Sequence, residues 1–371
     1  VMKDNFTFKN GVTVSNRIVM APMTISASTA DGRVSDEELV YYYRRAKSGI
    51  GMIITACAYI MDNGIAFPDS LKVTQDDDIQ ELAKVAKSIQ DGGAKAVLQI
   101  YHGGRMANPK YQLGKEVVSA SAIAAPRPNM PTPRALTHEE IEALITAFAE
   151  ATRRAIEAGF DGVELHGANT YLLQQFVSPH SNQRDDEWGG NVERRFTFPL
   201  RVVEACAHMI QEYAKKPFVF GYRVSPEERE EPGITMDDTL AFVRALAKTP
   251  LDYVHASVGK FDGGSMRDAE DTTSRVALLQ QAVGEELAVI GVGALQTREQ
   301  VEEALATVPL VSLGHALIYD PDWYEKMALG LDDAVHTMLY TSKKDELDIP
   351  QSLWEMITTI PGWFTVAQEE K

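Results

Sequence analysis

The 371-residue chain predicts an α/β fold: a (β/α)8 TIM barrel with an N-terminal β-hairpin and long loops after strands three and four. Three observations carry this. Eight short apolar runs recur along the chain, near-continuous rather than alternating, as in strands covered on both faces. Amphipathic segments of helical length separate them. The alternation repeats often enough to close a barrel rather than leave an open doubly wound sheet. With insertions, such a barrel can take up residues 1–371 as one unit.

The elements follow in order. FTFKNGVTV alternates apolar and polar residues about Asn10-Gly11, which predicts a two-residue hairpin turn within residues 5–16. Lying ahead of the first strand, this hairpin would plug the N-terminal end of the barrel. RIVMA (Arg17–Ala21) is the first barrel strand and IGMIITA (Ile50–Ala56) the second, separated by a helix over Glu37–Ser48. A helix over Asp77–Gln90 leads to the third strand, KAVLQIY (Lys95–Tyr101). The next helix, Thr137–Ala158, opens with a capping-box pattern, Thr137-His-Glu-Glu140, and leads to the fourth strand, Gly162–Leu165. Strands five to eight are Pro217–Tyr222, Tyr253–Ser257, Ala288–Val292 and Leu310–Leu313. Helices over Asn191–Ala214, Thr235–Lys248, Arg275–Val283 and Thr297–Ala306 lie between strands. Asp320-Pro321 reads as an N-cap followed by proline at the first helical position. Two inserts, Gly103–Arg134 and Ser178–Gly190, follow strands three and four, on the face where barrel loops shape substrate access. The segment 342–371, with Trp354 and Trp363, is expected to pack back on the barrel or on a second copy, which leaves a homo-oligomer open.

Composition narrows the partners. Hydrophobic residues make up 44% and charged residues 24%, and the formal net charge is -17. That balance disfavours nucleic acid and anionic membrane, so an anionic cofactor would need local cations or backbone N–H donors. The two cysteines, Cys57 and Cys206, lie in apolar surroundings and are too few for a four-thiolate cluster. The opening residues VMKDNFTF carry no apolar leader, and a reduced, cytoplasmic chain is expected.

Strand ends carry the chemistry in such a barrel. The fourth run ends at His166, with Asn169 and Tyr171 close behind. Imidazole and amide can both bond a carbonyl oxygen, and a phenol can deliver a proton. Gln99, polar at the end of an apolar strand, could bond loop backbone or match the pyrimidine edge of a flavin. Arg223 could pair with Glu227 or Glu228, or stabilise negative charge on a reduced flavin. Gly291-Val-Gly293 and Gly314-His315 end strands seven and eight, where they could be tight turns or a phosphate cradle. His102, His166 and His255 could in principle ligate zinc, although no carboxylate accompanies them at the strand ends. Cys57 has no evident base beside it and reads as packing.

These residues resemble those of the old yellow enzyme family of FMN-dependent oxidoreductases. The similarity runs from NRIVMAPM (Asn16–Met23) to GHALIYDPDW (Gly314–Trp323). Its most specific part is GFDGVELHGANTYLLQQFVSPHSNQRDDEWGGNVERR, which matches the family's H-x-x-N-x-Y group and the S-P-x-x-N-x-R-x-D pattern that follows. QIYHGGR (Gln99–Arg105) resembles a second signature. The resemblance implies a barrel holding FMN noncovalently at its C-terminal mouth, with NADH or NADPH as reductant. It implies that Pro22, Met23 and Thr24 line the flavin ring, and that Cys57 gives a backbone contact to the pyrimidine. It assigns Gln99 and Arg223 to the pyrimidine edge, and Gly293, Ala294, Gly314 and His315 to the phosphate. His315 departs from the family's usual arginine. Tyr171, His166 and Asn169 are then the catalytic group: the last two bond the carbonyl oxygen of an α,β-unsaturated substrate, and Tyr171 protonates it after hydride transfer. The alternatives are an NAD(P)H oxidase or flavin reductase with oxygen as acceptor, a zinc-dependent barrel hydrolase and an inactive binding module.

Overall fold

The structure is a computed structural model that describes residues 1–112 and 114–367. Eight parallel strands form a closed sheet: β1 (Ile18–Met20), β2 (Met52–Ile54), β3 (Lys95–Tyr101), β4 (Gly162–Gly167), β5 (Val219–Val224), β6 (Tyr253–Ala256), β7 (Ala288–Gly291) and β8 (Leu310–Leu313). Each pairs with the next, and β8 pairs back to β1 through Val311 and Ile18. A two-residue strand, Ala58–Tyr59, continues alongside the end of β3. Only Lys95 and Ala288, the first residues of β3 and β7, are partly exposed, so the strands are covered on both faces as their apolar runs require.

The lower barrel is apolar. Val19, Met52, Ile54, Val97, Val219, Ile290 and Leu310 form a cluster there with Tyr253, and the hairpin adds Phe8 and Val14. The Phe8 ring lies 6.1 Å from that of Tyr253, so the hairpin does plug the N-terminal end. Its turn is not the two-residue kind that Asn10-Gly11 predicts. Thr7 pairs with Thr13, the Phe8 N–H donates to Val12, and Lys9, Asn10 and Gly11 form a three-residue loop. The Asn10 amide donates instead to the Phe218 carbonyl, and only Gly11 takes a positive φ, 96°. Glycine in that position is how three-residue hairpin loops close.

Other boundaries shift for local reasons. β4 and β5 run on through His166 and Arg223, so these polar residues lie within strands rather than after them. The helix expected over Asn191–Ala214 is two, Val192–Arg195 and Thr197–Tyr213, divided at Phe196. Pro199 has no N–H to donate to the carbonyl four residues back, so the ladder breaks ahead of it. Asp320 does not start a helix. It ends the short helix His315–Tyr319, and its carboxylate binds Lys326 and the N–H groups of Asp322 and His336. The next helix, Trp323–Ala328, begins after Asp322.

The long loops have structure of their own. Val118–Ser119 pairs with Arg134–Ala135 in the loop after β3. Beyond β4, Asn182 donates to the carbonyls of Phe176 and Trp188, fixing a loop whose Trp188 is fully buried. The C-terminal segment packs back on its own barrel. Leu339–Tyr340 pairs with Val366–Ala367, and Trp354 and Trp363 lie against the core. Residues 368–371 of the expected extension fall outside the described residues. Among the described residues no helix is long and apolar enough to cross a membrane.

The loop after β1 is held by an unusual pair. Glu38, buried on the helix Asp36–Lys47, accepts from the Ser28 hydroxyl at 2.7 and 2.9 Å. Burial, only partly offset by Ser28, pushes its carboxyl up to about 7 from an ordinary 4.5.

Two outcomes are expected. Phe8→Ala empties the barrel plug and should cost roughly 3–5 kcal/mol in urea unfolding; a loss under about 1 kcal/mol would mean that the hairpin is peripheral. Because folding raises the Glu38 pKa, its favourable contribution is complete below about 4.5 and is lost as pH rises through about 7. Relative to wild type, Glu38→Gln should therefore gain on the order of 3 kcal/mol between pH 4.5 and 8. Parallel stability profiles for the two proteins would contradict this.

Candidate active site

The mouth is built from residues that alternate along β4. Glu164 and His166 both face the barrel interior, His166 one layer nearer the C-terminal end. Beyond Gly167 the chain makes an abrupt turn. Asn169 and Thr170 both take left-handed backbone conformations, with φ of 56° and 73°. For a β-branched residue that is costly and must be held by its surroundings. Two neighbouring glutamines hold it. The Thr170 N–H donates to Gln174 Oε1 (3.0 Å), and Gln175 Nε2 donates to the Thr170 carbonyl (2.7 Å). Both glutamines are buried and anchored in turn: Gln174 donates to Glu228, and Gln175 Oε1 accepts from the Arg105 N–H and the Ser119 hydroxyl. The clamp sets the directions of Asn169 and Tyr171.

His166 and Tyr171 stand side by side there, with Asn169 on the turn between them. His166 is buried, and among the described residues its Nδ1 has no hydrogen-bond partner. Burial, helped by the positive Arg223, pushes its pKa down to about 3, so the imidazole is neutral and can donate a single N–H. Asn169 Oδ1 accepts from the Ser257 hydroxyl at 2.6 Å, and its backbone N–H donates to Ser225 Oγ. With its oxygen engaged, the amide has its NH2 left to offer. The Tyr171 ring lies 4.8 Å from His166, edge-on, and 5.4 Å from Tyr101. Burial among these rings raises the phenol pKa well above the ordinary value near 10, so it is protonated at rest.

Below this pair of rings lies a polar cluster whose central carboxylate the sequence reading missed. Glu164 is fully buried. It accepts from Gln99 Nε2 (2.7 Å), Tyr253 Oη (2.9 Å) and His255 Nδ1 (2.8 Å). His255 Nε2 meets Ser312 Oγ at 2.8 Å. Burial opposes charge on Glu164, yet His255, Arg223 and Tyr253 together hold its carboxyl below the usual range. Burial also lowers His255, which leaves a carboxylate beside a neutral imidazole. Arg223 is buried, with its Nε 3.5 Å from the Ala256 carbonyl. It pairs with neither Glu227 nor Glu228, which bind Ser265 and Arg275, and Gln174 and Ser178. Gln99 likewise bonds a carboxylate rather than loop backbone.

The remaining candidate residues surround the opening. Thr24 and Cys57 border one small cavity with Ala56 and Phe67. Burial pushes the Cys57 thiol up to about 12, so it is no nucleophile. Pro22 and Met23 follow β1, and the Met23 thioether faces the open side of Gly314. Gly293, Ala294, Gly314 and His315 line one cavity of about 490 Å³, with Ser312 at its inner wall. Gly293 (φ 125°) and Ala294 (φ 53°) bend the backbone around it, and a side chain at 293 would strike Lys260 and Phe261. His315 stacks on Phe364 at 3.9 Å and 22°, with Trp363 and Tyr319 edge-on. Burial lowers its pKa, so it brings no fixed charge. The backbone cradle, Gln99 on β3, Arg223 on β5 and the unpartnered His166 on the strand between those two fit FMN. Among the described residues no arginine lines the cradle.

Two of the three histidines weighed as zinc ligands have other engagements. His102 contacts Asn63 through Nε2 and accepts from the Gly104 N–H through Nδ1, and His255 is bonded at both nitrogens. Among the described residues no group of three histidine, cysteine or acidic side chains is arranged to hold a metal ion.

Comparison with known proteins places the chain in a family. The model of the family described as NADH:flavin oxidoreductase / NADH oxidase matches residues 4–334. The probable NADH-dependent flavin oxidoreductase of Bacillus subtilis is 44% identical over 362 residues, 96% of each chain. An NADH:fumarate oxidoreductase of Klebsiella pneumoniae is 45% identical over 94% of this chain, which spans only 38% of that longer protein. The solved structure of morphinone reductase superposes with a TM-score of 0.75 at 25% identity, over 89% of both chains. The chain therefore belongs to the NADH:flavin oxidoreductase / NADH oxidase family, the old yellow enzymes, and is an NAD(P)H-dependent flavin oxidoreductase.

Proposed function

We propose that this chain reduces the activated C=C bond of a small α,β-unsaturated carbonyl compound at the expense of NADH or NADPH, with Tyr171 as proton donor. The observation that carries the reading is a neutral His166 and a Tyr171 protonated at rest, 4.8 Å apart, with Asn169 and its uncommitted NH2 on the turn that joins them.

FMN, when bound, supplies the hydride carrier between nicotinamide and alkene. Gln99 and Arg223 would hold its pyrimidine edge, with the Cys57 backbone beside it. Pro22, Met23 and Thr24 would lie along its ring. Gly293, Ala294, Gly314 and His315 would hold its phosphate, through backbone donors more than through charge. His166 and Asn169 donate to the substrate carbonyl oxygen and stabilise the enolate-like charge that grows as hydride reaches the β-carbon. Tyr171 gives its proton to the α-carbon and recovers one from solvent. The alkene thus gains one hydride and one proton, and the reduced nicotinamide loses the hydride. A phenol held this far above its ordinary pKa is a weak acid, suited to a carbanion more basic than itself.

The relative named for fumarate supports an electron-poor alkene as acceptor, and the one named as a flavin oxidoreductase supports NADH as donor. Oxygen as the main acceptor is the second reading, favoured by the NADH oxidases that share the family description. The buried free thiols of Cys57 and Cys206 fit a reducing, cytoplasmic setting.

In stopped-flow experiments, Tyr171→Phe should leave reduction of the holoenzyme by NAD(P)H near wild type and slow its reoxidation by an enone by about 10²-fold or more. Equal loss in both half-reactions would remove Tyr171 from the proton-donor role. Faster wild-type reoxidation by oxygen than by any enone tested would favour the oxidase.

A further inference from the structure

The carboxylate under the mouth has no part in the mechanism above. Nothing in the proposed chemistry touches Glu164, yet it is fully buried and takes hydrogen bonds from β3 and β6. Its closest dependant is Gln99, which lies opposite it in the β3–β4 register. One amide hydrogen of Gln99 is committed to Glu164 at 2.7 Å, which selects one of the two orientations of that amide. Its Oε1 has no hydrogen-bond partner among the described residues. The second dependant is Arg223, opposite both His166 on β4 and His255 on β6. It is buried, and among the described residues it makes one long bond to a carbonyl and no salt bridge to a carboxylate. Glu164 supplies the negative charge that offsets the guanidinium in this dry layer.

We infer that Glu164 is a positioning residue for the cofactor: it turns the Gln99 carbonyl toward the flavin imide N–H and balances the charge that Arg223 presents to the ring. This rests on the reading that FMN occupies the mouth. The role has two separable parts. The orientation of Gln99 needs a carboxylate at the right reach. The charge balance needs only a negative charge in the layer.

Variants separate the parts. In Glu164→Gln the shape is kept and the charge is gone, so Arg223 acts uncompensated on the flavin and favours its reduced, more negative form. Reduced FMN should then bind about tenfold more tightly relative to oxidised FMN than in wild type, a rise of about 30 mV in the two-electron midpoint potential. In Glu164→Asp the charge stays but the carboxylate retreats from Gln99. Its potential should match wild type, while its affinity for oxidised FMN, read by fluorescence titration, should fall several-fold. Holoenzyme potentials come from spectroelectrochemical titration, so neither readout depends on turnover. An unchanged potential in Glu164→Gln overturns the charge role. Unchanged FMN affinity in Glu164→Asp overturns the orienting role, and does so even if Glu164→Gln fails to fold. Wild-type protein that retains no FMN would overturn the underlying reading and this inference with it, which distinguishes that failure from the other two.

Discussion

Closure of eight parallel strands into one sheet is the constraint on which the rest of the molecule depends. A closed sheet has no edge, so its inward side chains must fill a fixed volume, layer by layer. The lowest layers are filled by valine, isoleucine, methionine and leucine, and the open end by Phe8 from the hairpin. The upper layers are polar, and every polar group there has to find its partner inside the barrel. Glu164, Gln99, Tyr253, His255 and Ser312 meet that demand together, each supplying a donor or acceptor that another lacks. Glu164 is thereby fixed beneath the mouth by three hydrogen bonds.

The turn after β4 obeys a related rule. The directions of Asn169 and Tyr171 depend on a backbone conformation that Thr170 resists, and the resistance is met by Gln174 and Gln175 on the following helical turn. Those glutamines are tied to the loops after β3 and β5 through Ser119 and Glu228. Strain at the site is therefore shared among three loops, which is how a sparsely populated backbone conformation persists in a folded protein.

Much of this was legible in the chain itself, and the parts that were not have identifiable causes. Strands buried on both faces must be apolar throughout, so runs such as KAVLQIY stand out without any alignment. The ends of β4 and β5 were read short because His166 and Arg223 look like loop residues, although inside a barrel mouth they belong to the strand. His166, Asn169 and Tyr171 were visible because they punctuate an apolar run. Glu164 sits in the same run and was passed over, yet a carboxylate amid Gly162–Leu165 was the available signal. Ser257, Gln174 and Gln175 gave no such signal, since their partners lie in other elements. The Asn10-Gly11 turn was misjudged by one residue because the Asn10 side chain reaches the barrel floor, a tertiary bond that local turn preference does not contain.

The place of His315 has a consequence of a different kind. Its imidazole is sandwiched by Phe364 and flanked by Trp363, residues that follow the whole barrel in order of synthesis. Val366–Ala367 pins that stretch as a strand beside Leu339–Tyr340. All eight strands can leave the ribosome and pair before Phe364 emerges, but the aromatic backing of His315 cannot form until it does. Whatever stiffness that stack gives the wall of the cavity is thus acquired only after the barrel strands have been made.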